Sequence, residues 1–112
     1  MATQTLIPKS SKIPALYAQD GKGDKARVHI KLFTPCGGWT WLLTEYDPKD
    51  GVAFGYAYNS QDPDCAELGY ISVTELAALK NRQLGGIPMV ERDIHFQPKT
   101  LVEAKRIECP NA

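Results

Sequence analysis

Phe33-Thr34-Pro35-Cys36-Gly37-Gly38-Trp39-Thr40-Trp41-Leu42-Leu43-Thr44-Glu45-Tyr46-Asp47 holds both tryptophans of the chain, its densest turn signal and two carboxylates, and the rest of the sequence is organised around it. The Pro-Cys-Gly-Gly run reads as the bend of a hairpin. Along the second arm, the pleat of a strand would send Trp39, Trp41, Leu43 and Glu45 to one face and Thr40, Leu42, Thr44 and Tyr46 to the other. Aromatic bulk then goes to one side, with an acid at its end.

Upstream, Arg27-Val28-His29-Ile30-Lys31-Leu32-Phe33 alternates with period two and predicts a first strand, with Val28, Ile30 and Leu32 buried and Arg27, His29 and Lys31 wet. The cations beside His29 lower its affinity for a proton. Before it, a polar loop around Lys22 follows a segment with Pro8 and Pro14, whose prolines limit any helix and whose Ile13, Leu16 and Tyr17 are expected to lie on the core. Downstream, Asp47-Pro48-Lys49-Asp50-Gly51 is a strong turn. It leads to a strand with Ala53, Gly55 and Ala57 on one face, small enough for another element to approach closely. A further strand, Ala66-Glu67-Leu68-Gly69-Tyr70-Ile71, completes an antiparallel four-stranded meander.

Two capping boxes follow. Ser72-Val73-Thr74-Glu75 opens a helix of about two turns, and Thr100-Leu101-Val102-Glu103 opens a terminal one. Between them lie a loop over residues 81–88 and a late alternating stretch, Glu91-Arg92-Asp93-Ile94-His95-Phe96. The expected fold class is therefore α+β: an antiparallel four- to five-stranded meander sheet with short helices packed on one face. We expect a single domain over residues 1–112, with a flexible N-terminal arm at about 1–12 and a C-terminal tail at about 108–112.

Hydrophobic residues are 43% and charged residues 23% of the chain, a balance that excludes the disordered and membrane classes. No signal-peptide core is present at the N-terminus, so cytoplasmic residence is expected. Thirteen basic and thirteen acidic residues cancel, without the positive footprint of a duplex DNA binder. Cys36, Cys65 and Cys109 are odd in number and widely spaced, which predicts reduced thiols rather than a disulfide framework or zinc site.

Several stretches together resemble one family. They are Phe33-Thr34-Pro35, Trp39-Thr40-Trp41, Thr44-Glu45-Tyr46-Asp47, Phe54-Gly55, Glu67-Leu68-Gly69-Tyr70 with Ser72 and Glu75-Leu76, Gly86-Ile87-Pro88, Glu91-Arg92-Asp93, Phe96 and Pro98. In this order they are similar to the uncharacterised bacterial and phage family, domain of unknown function 2958. The resemblance implies a setting in mobile DNA, among plasmids, conjugative elements and phages, and no reaction or catalytic residues. The loop over residues 59–65 and the tail beyond Leu101 do not take part in it.

Three functional readings compete. Trp39, Trp41, Tyr46 and Asp47, with Asp62 and Asp64 of the next loop, would form a surface at the hairpin ends for a protein partner, the acids steering it. With the setting implied by the resemblance, this predicts a non-enzymatic accessory factor of the anti-CRISPR or anti-restriction kind, acting on a host protein such as a nucleic-acid-handling complex and requiring no cofactor. The second reading takes Glu91, Asp93 and His95 on one strand face, joined by Glu45, as a metal-dependent or acid-base cluster. A solvated face with Arg92 or Lys31 pairing the acids is the plainer account of the same pattern. The third stacks single-stranded bases on Trp39, Trp41, Phe54, Tyr56 and Tyr70, although the acids near them would repel phosphate.

Overall fold

The computed structural model describes residues 6–81 and 85–110, so residues 82–84 of the expected loop, the first five of the arm and the last two of the tail lie outside the described residues. In chain order it contains β1 (Arg27–Val28), β2 (Ile30–Phe33), β3 (Trp39–Asp47), β4 (Val52–Asn59), β5 (Glu67–Ser72), α1 (Val73–Ala78), β6 (Lys80–Asn81), β7 (Ile87–Pro88), β8 (Glu91–Arg92), β9 (Lys99–Thr100) and α2 (Leu101–Glu108). Five strands form one antiparallel sheet in the order β5-β4-β3-β2-β8. The α+β class and the meander are as the alternation predicts.

Both faces of this sheet are buried. On one, Ile30, Leu32, Trp41, Leu43, Ala53 and Ile71 pack with Leu6, Val73 and Val90. On the other, Leu42, Tyr56 and Tyr58 pack with Val28, Leu101, Ala104 and Cys109. The helices therefore take opposite faces rather than one, α1 the first and α2 the second. Two adjacent apolar residues in β3, Leu42 and Leu43, fix this: each is fully buried, and a strand can bury consecutive side chains only between two layers. The small residues Ala53 and Ala57 of β4 serve the first face, in the same core as Leu6, Ile7 and Ile13.

The described parts of the two ends expected to be flexible are docked. Leu6 is buried in the first core, with Ile7 and Ile13 packed against that core, so the apolar side chains of this segment hold it to the sheet. At the other end Cys109 is buried and the Tyr58 hydroxyl donates to the Pro110 carbonyl at 2.6 Å. The first strand is also corrected. It breaks at His29, whose N–H donates to the Leu43 carbonyl at 2.9 Å, and β1 leaves the sheet to pair with β9. Val28 thus joins the second core while Ile30 and Leu32 stay in the first.

Between Leu43, which pairs with Gly55, and Glu45, which pairs with Phe54, the register slips by one residue. This β-bulge at Thr44 reverses the alternation beyond it. Tyr46 joins Trp41 and Leu43 on the first face, and Glu45 moves to the second, with Phe54 and Leu42. Expecting Glu45 on the tryptophan face was wrong for this reason. Both helix caps form as predicted: Ser72 Oγ accepts from Glu75 N at 3.2 Å and Thr100 Oγ1 from Glu103 N at 3.4 Å. Among the described residues, no helix is long and apolar enough to cross a membrane.

The bulge sets a steric condition at Gly55. A Cβ there would fall 2.1 Å from the Leu42 carbonyl oxygen, whereas one on its partner Gly69 would meet nothing within 4 Å. Gly55→Ala should therefore cost roughly 3 kcal/mol or displace the bulge. Gly69→Ala should leave stability unchanged or raise it by up to about 1 kcal/mol. Urea denaturation of the two variants beside the parent measures the contrast.

Candidate functional site

The acidic set does not assemble. The β2–β8 ladder spans only Leu32↔Arg92 and Phe33↔Glu91, after which Asp93 turns the chain: its Oδ1 accepts from His95 N at 2.9 Å and its carbonyl from Phe96 N at 3.2 Å. Without a continuing ladder, the alternation that would align His95 with Glu91 is lost. The Asp93 carboxylate lies 3.6 Å from Lys31 Nζ, which also bonds Glu108. This is the charge pairing that Lys31 offered from the sequence. Glu45 is five residues along β3 from Thr40, the position in register with Phe33 and hence Glu91, a distance of roughly 15 Å. Among the described residues, no three His, Cys, Asp or Glu side chains gather to hold a metal ion.

Nor is the hairpin-end surface contiguous. Trp39 pairs with Asn59, beside the loop that carries Asp62 and Asp64, whereas Asp47 pairs with Val52 at the opposite end of the same ladder, with Tyr46 next to it. The eight steps along β3 from Trp39 to Asp47 separate the two ends by about 25 Å. Trp39 and Trp41 stack, centroids 5.6 Å apart and 6° from parallel, which buries Trp41 to 8% exposure and leaves Trp39 at 40%. The aromatic platform is likewise divided, since Phe54, Tyr56 and Tyr70 lie on the face opposite the tryptophans.

What the bulge does assemble is a buried polar knot around Glu45. Its Oε1 accepts from the Tyr17 N–H at 2.9 Å and its Oε2 from the Gln19 N–H at 2.7 Å. The Gln19 amide in turn donates to the carbonyls of Arg27 and Thr44, at 2.9 and 2.8 Å, and accepts from Arg27 N at 2.6 Å. Tyr46 N donates to the Pro14 carbonyl at 2.9 Å. A buried carboxylate is tolerable only when such donors replace its water, and here it holds residues 14–20 onto the sheet. Tyr17 adopts a left-handed backbone with φ 72°, uncommon for a residue with a Cβ. Its ring, expected on the core, projects outward instead.

Beside the knot is a hollow of about 390 Å³, lined by Tyr17, Asp20, Glu45, Phe54, Leu68 and Tyr70 among others. Tyr17, Leu68 and Tyr70 are 65%, 43% and 61% exposed. Phe54 and Tyr70, cross-strand partners, meet edge to face with centroids 5.4 Å apart, and the Tyr70 hydroxyl donates to that of Tyr17 at 3.2 Å. That hydrogen bond, then burial and the negative charge nearby, raises the Tyr70 pKa. No local sequence signal joins Tyr17 to Tyr70.

A second, polar groove of about 370 Å³ runs past Lys12, His29, Arg92 and Asp93. Burial there, and then the Arg27 charge, lower the His29 pKa, in the direction expected from its cationic neighbours. All three cysteines are free. The exposed Cys65 thiol is raised by its hydrogen bond to the Asp62 side chain and by surrounding acids, and burial beside Glu108 pushes Cys109 up to about 12. Neither is poised as a nucleophile.

The sequence pattern of one family, described as Protein of unknown function (DUF2958), matches residues 5–105. No curated protein and no solved structure matches the chain.

Two measurements probe these groups. Glu45→Gln keeps the shape but turns one acceptor into a donor facing an N–H. It should cost about 2–3 kcal/mol in denaturant and speed amide exchange at Tyr17 and Gln19. For His29, the folded chain binds a proton less readily than the unfolded chain. Its contribution is in place above about 6.5 and is lost as pH falls below that value. The denaturation midpoint of the parent should therefore fall more steeply than that of His29→Asn as pH drops from about 7 to about 5.

Proposed function

We propose, from the premise that the chain belongs to the DUF2958 family of proteins of unknown function, that it is a non-enzymatic protein-binding factor of a mobile element, modulating a host defence or DNA-handling protein. The observation that carries the reading is the exposed cluster of Tyr17, Leu68 and Tyr70 around one hollow, next to the edge strand β5. Scattered apolar residues are ordinary on a surface. Two tyrosines and a leucine converging on a concavity are the material of interface centres.

The groups suited to chemistry are engaged elsewhere. Both oxygens of Glu45 take backbone N–H groups, and Asp93 pairs with Lys31. The hollow is lined by Asp20 and Glu45 and, among the described residues, by no lysine or arginine, which disfavours phosphate and suits a basic protein surface. Trp39 with the exposed Asp62 and Asp64 forms a second, smaller contact in this proposal, and the partner is met in the cytoplasm.

Capture from host lysate on the immobilised chain tests this. Leu68→Ser and Tyr70→Ser should each weaken retention of the captured protein by about tenfold or more, the first with thermal stability unchanged and the second with a loss of about 1 kcal/mol from its contact with Phe54. Equal retention by both variants would refute the surface, and capture of no protein from several hosts would refute the reading.

A further inference from the structure

We propose that the hollow between Tyr17, Phe54 and Tyr70 receives the guanidinium of an arginine on the partner protein, an assignment that rests on the protein-binding reading above. The walls are right for a cation. Phe54 and Tyr70 stand 73° apart, forming two sides of a corner, and the hydroxyl link from Tyr70 to Tyr17 closes the rim. Aromatic faces carry the negative part of the ring quadrupole and attract cations placed over them.

The charge is right as well. Asp20 and Glu45 are the acidic side chains among the described lining residues, and among the described residues no lysine or arginine forms an ion pair with either. Their field reaches the rings: both acids contribute to holding the proton on the Tyr70 hydroxyl, after its hydrogen bond to Tyr17 and burial. A neutral apolar side chain entering the hollow would strip water from the exposed Asp20 carboxylate without replacing it. A guanidinium would stack on a ring while directing its in-plane N–H groups to Asp20 and the tyrosine oxygens, which a lysine ammonium does less well.

The site is also set in advance. Tyr17 is held in its left-handed conformation by the hydrogen bond from its N–H to Glu45, so its ring stands at the rim before any partner arrives. Strain maintained at an exposed aromatic is expected where pre-organisation serves binding.

The test is an amide-resonance titration of the full chain with acetyl-Gly-Arg-Gly-amide, its citrulline counterpart and its lysine counterpart. Citrulline keeps the shape and hydrogen bonding of arginine without the charge. The arginine peptide should produce saturable shifts at Tyr17, Gln19, Asp20 and Tyr70, with affinity about tenfold above the citrulline peptide. Asp20→Asn, at an exposed position, should reduce that affinity without altering the fold. Absence of saturable shifts at these residues, equal binding of the citrulline peptide, or stronger binding of the lysine peptide would overturn the assignment. If the lysate capture still depends on Leu68 and Tyr70 in that event, the protein-binding reading stands and the arginine assignment alone falls.

Discussion

A single carboxylate accepting two main-chain N–H groups holds the architecture together. Glu45 sits where the β-bulge has turned it toward the second face, and the loop that carries Tyr17 and Gln19 reaches it from a quarter of the chain away. Loops lack a ladder of their own, and a buried loop must find partners for every polar group. Glu45 and the Gln19 amide together provide them, joining the N-terminal segment, β1 and β3 at one point. Removing the charge would loosen all three at once.

The same bulge ties packing to placement. Ordinary alternation sends Leu42 and Leu43 of β3 to opposite faces, and the bulge after them rotates the end of the strand so that Tyr46 completes the first core. Gly55 makes the slip sterically possible by leaving space for the Leu42 carbonyl. The second face is covered by α2 over only part of its width. Beyond the N-terminal end of the helix, at Leu101, Phe54, Leu68 and Tyr70 remain, and the exposed cluster is the uncovered remainder of an otherwise buried surface. Apolar composition there comes from the sheet's own alternation, while the acids come from the bulge and the loop.

Much of this fold was legible in the residues. Period-two alternation located β3, β4 and β5, and the paired Ser72/Glu75 and Thr100/Glu103 signals located both helix starts, because each depends on near neighbours. Strand faces were less legible. A bulge shifts register without a distinctive local composition, and Thr44 looks like any strand residue until Gly55 is known to oppose it. The late acidic alternation misled for a related reason: a pattern of period two is compatible with a strand but does not supply the partner that would extend it, and β8 runs out after Arg92. Of the candidate residues, Glu45 proved central in a role that its spacing did not indicate. Tyr17 and Tyr70 were separated by fifty-three positions, beyond any periodic argument.

The buried thiol near the end of α2 gives the molecule a built-in clock. Cys109 is enclosed by the second core, and its proton is held too firmly for thiolate chemistry at neutral pH, while Cys36 and Cys65 stand in solvent. An alkylating reagent thus meets two populations: two sulfurs accessible at once, and one that becomes accessible only when the terminal helix lifts from Leu42, Tyr56 and Tyr58. At reagent concentrations where alkylation outpaces reclosing, the rate of its slow modification is the frequency with which that helix leaves the sheet, read from the native sequence without an added probe.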